Sequence, residues 1–366
     1  MMRGPARSRP SSSSESAPAA RTSKDTYVQS MEALVCVEPG KLIVEQRPAP
    51  TPDPSYALVR PRRVGICGTD YHIFEGKHPF LQYPRIMGHE LAVEVVHAPA
   101  GSGIEPGQSF AVNPYVSCGK CIACRRGKPN CCVRVSVLGV HQDGGMAGLL
   151  AVPPGNLIPI DGLSLDQAAT VEFLAIGAHA VRRAAVTAKD RVLVVGTGPI
   201  GLGVALFSRL SGGAVAVLDR ETERARATAA ILGVTPFAAD ADGSQALDRF
   251  TSGEGFDVVF DATGSSSAME RGFEYAAHGG RYVLVSVVKE QIRFMDPDFH
   301  RKELTLLGSR NATAEDFERV IEAMRQGSVP VDRLITHRTD LKGAVRDIPH
   351  WTNEKAGLIK AIVEIG

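Results

Sequence analysis

The sequence predicts an α/β protein, with a doubly wound parallel sheet beside a second lobe of short strands. Three observations lead there. Strand-sized apolar runs alternate with helix-sized segments from about Val192 to Leu307; a glycine-rich turn, Gly196-Thr-Gly198-Pro-Ile-Gly201, joins the first such strand to the first such helix; and the region before Pro159 is cut into short strands by Pro and Gly. Strand–helix alternation requires a parallel sheet covered on both faces. Short strands between turn residues belong to a β-rich lobe. A chain of 366 residues also exceeds one typical hydrophobic core, so two domains are expected.

Residues 1–30 carry Arg3, Arg7, Arg9 and four consecutive serines from Ser11, with almost no apolar periodicity. Such a segment buries too little surface to offset its ordering entropy and is expected to be a disordered tail. Glu15 and Asp25 are out of keeping with an organelle-targeting leader. From Met31 a strand runs to the turn at Pro39-Gly40, and residues 42–46 and 56–64 are further strands. Residues 166–185 have an acidic start and an Ala, Leu and Val face, the pattern of a helix. The apolar run 192–195 suits a buried parallel strand. A helix over 200–210, a strand over 214–218 and a helix over 222–232 stopped by Gly233 follow. Later strands are expected at 257–260, 282–287 and 304–307, then a helix over 315–326 and a terminal strand over 358–364.

Composition narrows the function. Net charge is +1 with basic residues scattered, which gives no electrostatic footprint for nucleic acid or an acidic membrane. The longest apolar runs are strand-sized, so no membrane partner is expected. Seven cysteines are too few for a disulfide framework in this length, and five of them crowd between Cys118 and Cys132. Thiolates kept for metal favour a reducing compartment, so the cytoplasm is the expected location.

The glycine turn has the elements of a dinucleotide site. Gly196 permits the tight turn, Gly198 lets backbone approach a pyrophosphate, and Gly201 brings helix close to strand. Thr197, Pro199 and Ile200 complete the loop, and Pro199 suits a first helical turn that has N–H groups to spare. Asp219 ends the next strand, eighteen residues past Gly201, where a carboxylate holds ribose hydroxyls. That acid favours NAD over NADP, whose 2′-phosphate it would repel. Arg220 and Arg224 soften the preference, so NADP stays possible.

Cys118-x2-Cys121-x2-Cys124-x7-Cys132 supplies four thiolates from one loop, a closed set that suits a structural zinc. An iron–sulfur run would set the fourth cysteine three residues on and follow it with proline; here the gap is seven and Val133 follows. A second constellation is looser. Gly65-Ile-Cys67-Gly-Thr69-Asp70-Tyr-His72, Gly88-His89-Glu90 and Glu172 together offer one Cys, one His and one or two carboxylates. That set leaves an exchangeable position, which a catalytic zinc requires.

On these motifs, the chain from Met31 to Gly366 resembles the zinc branch of the medium-chain dehydrogenase/reductase family. The resemblance implies a Rossmann NAD-binding domain (179–310) and a GroES-like catalytic domain (31–178 plus 311–366). It implies two zinc ions per chain: a structural one in the four-cysteine lobe and a catalytic one on Cys67, His89, Glu90 and Glu172, with Asp70 orienting a ligand. It further gives Thr69 the hydroxyl that takes the alcohol proton and His72 the outer end of a relay to solvent. Hydride would pass between a small-molecule secondary alcohol and the nicotinamide. Segments such as Gly308-Ser-Arg310-Asn-Ala-Thr resemble the sugar-acid and polyol enzymes of the L-galactonate 5-dehydrogenase type. Arg310 could there grip a carboxylate, hydrogen-bond hydroxyls, or pair with Glu172. Sorbitol, L-threonine and simple alcohols are the alternative substrates. Zinc-free quinone reductases or non-catalytic nucleotide-binding relatives form a different class, one that lacks the Cys67, His89 and four-cysteine positions. Family members are homodimers or homotetramers, so a homo-oligomer is expected. One departure lies beside the site: Phe173 stands where a proline often follows the acidic zinc residue.

Overall fold

The computed structural model describes residues 1, 4, 29–78, 81–354 and 356–366. Most of the tail expected over residues 1–30 lies outside these, and Ser30 already opens the first strand. Ten strands form the first part of the chain: β1 (Ser30–Glu38), β2 (Lys41–Pro48), β3 (Ala57–Ile66), β4 (Arg85–Ile86), β5 (Glu90–His97), β6 (Ser109–Val112), β7 (Tyr115–Val116), β8 (Ser136–Val137), β9 (Leu150–Val152) and β10 (Leu157–Pro159). Strands β2, β1 and β4 make one antiparallel sheet; β10, β6, β5 and β3 make another, with β9 added to β3. Strands β3 and β5 are buried over consecutive residues and place Val59, Val64, Leu91 and Val93 in a shared core.

The alternating region forms a six-stranded parallel sheet. Its strands are β11 (Arg191–Val195), β12 (Ala214–Asp219), β13 (Thr235–Ala238), β14 (Phe256–Asp261), β15 (Ala276–Leu284) and β16 (Thr305–Gly308). Their spatial order, β13-β12-β11-β14-β15-β16, reverses direction between β11 and β14. In open sheets of this kind ligands bind at the carboxyl ends of the strands where the order reverses. Val192, Leu193 and Val194 of β11 are fully buried, as expected of a central strand covered on both faces. Apolar clusters lie on its two faces, one continuous with the core of the β-rich part and one around Leu193, Phe256 and Tyr282.

The chain then returns. Strands β17 (Ile335–Asp340) and β18 (Lys360–Glu364) run parallel to each other, and β18 pairs antiparallel with β3, so the C-terminal end completes the β-rich sheet. The helix expected over 166–185 is two helices, Leu165–Ala169 and Val171–Arg183. Thr170 separates them, and its hydroxyl donates to Gln167 O at 2.8 Å, a local bond that competes with the helical ladder. Helices Ala241–Thr251 and Ala344–Asn353 and strand β17 had no distinct pattern in the sequence reading.

Candidate active site and metal centres

The glycine turn lies between β11 and the helix Pro199–Leu210, at the carboxyl edge of the sheet. Gly196 takes φ 88°, open mainly to glycine. A Cβ on Gly201 would fall 1.8 Å from Gly196 O, whereas one on Gly198 would meet nothing within 4 Å. The two glycines thus serve different ends, one the packing of the turn and one the space above it. Asp219 Oδ2 accepts from Thr197 N at 2.7 Å and Thr197 Oγ1 at 2.8 Å, and Oδ1 accepts from Glu221 N at 2.9 Å. The acid therefore ties the turn to β12, with acceptor capacity left on the carboxylate. Arg224 Nη1 is 3.9 Å from Asp219, and Arg220 points to solvent beside Glu221. Two outcomes follow for a dinucleotide docked here. Gly201→Ala should destabilise the fold by roughly 1–3 kcal/mol or more through overpacking against backbone. Gly198→Ala should melt like the parent protein yet bind NADH more weakly by calorimetry, and equal behaviour of the two variants would count against this division.

The Sγ atoms of Cys118, Cys121, Cys124 and Cys132 all lie within 4.8 Å of one another. Cys121 and Cys124 frame the short helix Ile122–Arg125, and a single turn of 3-10 helix, Pro129–Cys131, brings Cys132 back. Backbone N–H groups of Cys118 and Arg134 donate to Cys132 Sγ at 3.3 and 3.4 Å. The Lys120 N–H and the Arg134 side chain hold the Cys118 thiol down at about 5. An all-sulfur set already supplied with donors for thiolates fits a zinc ion. Cys131 is exposed and outside the set, and Cys36 is a buried core residue whose thiol burial pushes up to about 11.

The third group of residues gathers where β3, β5 and β18 meet the helix Val171–Arg183. Gly65 on β3 faces Glu90 on β5, and a Cβ at Gly65 would sit 2.1 Å from Glu90 Oε2, so the glycine makes the room that the carboxylate fills. Cys67 caps the helix Gly68–Phe74, and its N–H donates to Asp70 Oδ2 at 2.9 Å. Ligand atoms of Cys67, His89 and Glu90 lie within 4.8 Å of one another. Both oxygens of Glu90 accept from Lys360 Nζ at 2.7 Å, and Lys360 also donates to Ile66 O at 3.1 Å. The Lys360 ammonium lies 4.3 Å from the centre of the Phe173 ring, a role a proline at that position could not fill.

Glu172, in the first turn of its helix, accepts from the Tyr115 hydroxyl through Oε1, while Oε2 is buried with no hydrogen-bond partner. His89 Nδ1 and Asp70 Oδ1 are likewise unpartnered, 3.8 Å apart. Burial, reinforced by Glu90, pushes Glu172 up to about 7 against the pull of His89. For His89 burial acts downward, but Asp70, Cys67 and Glu172 outweigh it and hold the imidazole well above its usual range. Three acids and a thiol thus share a dry site with one lysine and one histidine. The close set is Cys67, His89 and Glu90, with Glu172 outside it, and a sulfur, a nitrogen and a carboxylate oxygen suit zinc with one position open.

Thr69 Oγ1 is 3.9 Å from Cys67 Sγ, and His72 lies on the exposed side of the same helix. Arg310, just beyond β16, is exposed; Glu172 forms no ion pair with it, since its two oxygens are accounted for by Tyr115 and by the orphan. Arg310 still acts on the neighbouring His141, whose imidazole is held low by burial and by the charges of Arg310 and Arg85. Lys360 and Tyr115 were missed by the sequence reading. A lysine inside the apolar run Leu358-Ile-Lys-Ala-Ile-Val is the signal that could have found the first, because a charge on a buried strand needs a partner. Nothing in the sequence marks Tyr115.

Comparison with known proteins agrees with this arrangement. Residues 53–162 match the alcohol dehydrogenase GroES-like domain family, and residues 199–326 match the zinc-binding dehydrogenase family. The chain is 44% identical over 315 residues to the L-galactonate-5-dehydrogenase of Escherichia coli (strain K12), covering 85% of this chain and 92% of that one. Among solved structures, a short chain alcohol dehydrogenase from E. coli CFT073 complexed with NADH is 29% identical with TM-score 0.86, covering 92% of this chain and 100% of that one. A zinc-binding dehydrogenase from Sinorhizobium meliloti 1021 bound to NADP is 29% identical with TM-score 0.83, covering 92% and 99%.

Proposed function

Because this chain belongs to the zinc-type alcohol dehydrogenase family, with its GroES-like and zinc-binding parts both present, we propose that it oxidises a secondary hydroxyl of a sugar acid with NAD. The observation that carries the reaction is the convergence of Cys67, His89 and Glu90, whose ligand atoms lie within 4.8 Å of one another, with Glu172 Oε2 buried and unpartnered and the Thr69 hydroxyl 3.9 Å from Cys67 Sγ. The 44% identity to an L-galactonate-5-dehydrogenase supports the substrate class.

Cys67, His89 and Glu172 would hold the catalytic zinc, and Glu90 stands behind them on Lys360. When bound, zinc acidifies the substrate hydroxyl so that its proton leaves near neutral pH. Asp70 would orient His89, its carboxylate lying 3.8 Å from Nδ1. The Thr69 hydroxyl accepts the alcohol proton at Oγ1 and passes it towards His72, which exchanges it with water. Gly196, Thr197, Gly198, Pro199, Ile200 and Gly201 cradle the pyrophosphate, and Asp219 accepts from the adenosine ribose. Arg220, exposed and paired only at the surface with Glu221, could turn to meet a 2′-phosphate, so NADP is the second cofactor to test. Cys118, Cys121, Cys124 and Cys132 hold the structural zinc, and Arg310 reads the substrate carboxylate.

Among the described residues no helix is long and apolar enough to cross a membrane. The four thiols gathered for a metal support a reducing, cytoplasmic setting. The open edge of β16, with Leu306, Val287 and Met295 exposed nearby, is where a second copy would pair to give a homo-oligomer.

The test is NADH formation by the purified protein on L-galactonate, L-gulonate, sorbitol, L-threonine and simple alcohols. Sugar acids should lead in kcat/KM. A lead by sorbitol would remove the carboxylate role of Arg310 while leaving the zinc and NAD assignments standing.

A further inference from the structure

Asn130 sits inside the four-cysteine loop yet takes no part in the sulfur set, and it is only 4% exposed. Its side-chain Nδ2 donates to the carbonyl of Arg310 at 3.1 Å and lies 3.1 Å from His179 Nε2. The Asn130 carbonyl in turn accepts from Asn311 Nδ2 at 3.3 Å. Asn311 holds a left-handed φ of 53°, a state that non-glycine residues keep only where their surroundings fix it. Both residues at the end of β16 are thus tied to one buried asparagine.

The asparagine is itself held. His179, on the helix that carries Glu172 in its first turn, places Nδ1 2.8 Å from Asp316 Oδ2. A ring with its proton on Nδ1 satisfies Asp316 on one side and the asparagine amide nitrogen on the other, with Arg182 Nη2 also 3.3 Å from Nδ1. Arg182 locks the far end, donating to Asp316 Oδ1 at 2.7 Å and Oδ2 at 2.9 Å. Burial works against ionisation of Asp316, but hydrogen bonds from His179 and Arg182 hold it well below the ordinary carboxylate range. The Asn130 amide nitrogen, both His179 ring nitrogens and both Asp316 oxygens are engaged along this line, which favours one arrangement.

Arg310 differs at its outer end. Its side chain is exposed and enters no ion pair among the described residues, so its backbone carbonyl, held by Asn130, is the anchor from which the side chain extends. We propose that Asn130, braced by His179 and Asp316, is the positioning residue that aims Arg310 at a substrate carboxylate, which makes the cysteine loop a determinant of selectivity. The proposal rests on the reading of Arg310 as the carboxylate-binding group. Bidentate recognition by a guanidinium tolerates little displacement, so losing the brace weakens binding of the acid without touching the hydride step.

The experiment uses the full-length, zinc-loaded enzyme with Asn130→Ala, His179→Ala, His179→Gln and Arg310→Ala. Two substrates are compared: a six-carbon aldonate, and the hexitol carrying CH2OH in place of its carboxylate. Where the hexitol turns over too slowly, its competitive inhibition constant replaces KM. Asn130→Ala and His179→Ala should raise the aldonate KM about tenfold, the worth of one charge-assisted contact, with kcat and the hexitol constant held within about twofold. His179→Gln, whose amide offers one acceptor and one donor, should recover most of the loss, and Asn130→Ala should add nothing to Arg310→Ala. His179 lies outside the cysteine loop, so its variants carry the test if Asn130→Ala sheds zinc. Equal rises for both substrates, or an aldonate KM that moves in Arg310→Ala alone, would overturn the brace and leave the carboxylate reading intact. An aldonate KM unmoved by Arg310→Ala would overturn both.

Discussion

Lys360→Met is expected to destabilise the protein by about 3–5 kcal/mol, because it strands the Glu90 carboxylate as an unpaired buried charge. Lys360 and Glu90 have fully buried side chains, and no other cation hydrogen-bonds to Glu90 among the described residues. The thermal midpoint should fall by roughly 10 °C in a chain of this size. A second effect follows from geometry. Freed from Lys360, Glu90 lies within ligand distance of Cys67 and His89 and can close the position that substrate needs. Protein that stays folded should therefore keep its zinc and still lose turnover, by on the order of 10–100-fold. The double variant Lys360→Met with Glu90→Gln removes the stranded charge and the competing ligand together, so it should regain both stability and turnover. If single and double variants melt and turn over alike, the lysine acts through packing on Phe173 instead.

Glu172→Ala is expected to lower the zinc content from two ions per chain to one, with the four-cysteine ion remaining. Turnover should drop on the order of a thousandfold or more, since the Lewis acid that acidifies the hydroxyl goes with it. Glu90→Gln offers the contrast: its oxygens are engaged by Lys360, so both ions should remain. Elemental analysis of the two variants separates the carboxylates directly. Two ions retained in Glu172→Ala, with activity down only severalfold, would remove Glu172 from the ligand set.

The four-cysteine set and the glycine turn could be read directly from the chain because all their parts lie within one loop or one strand–turn–helix unit. Cys118 to Cys132 spans fifteen positions, and Gly196 to Asp219 crosses a single helix and strand, so spacing alone implies proximity. Cys67, His89, Glu90 and Glu172 are spread over more than a hundred positions, and only the resemblance to a family linked them. Helix limits agreed closely where a strong stop was present, as at Gly233, which caps its helix in the left-handed conformation. The break at Thr170 was not readable, because a threonine is tolerated inside helices and its bond to Gln167 O depends on the local turn.

The sequence by itself determined the alternating fold, the four-cysteine set and the dinucleotide turn. Those properties follow from periodicity and from ligand spacing, which are local. Only the tertiary structure decided which carboxylate is free. Glu90 and Glu172 carry the same side chain, but pairing of β18 with β3 brings Lys360 onto Glu90, while Tyr115 leaves one oxygen of Glu172 unpartnered. In a dry interior the state of an ionisable group is set by its partners, and these partners lie 57 and 270 positions away along the chain.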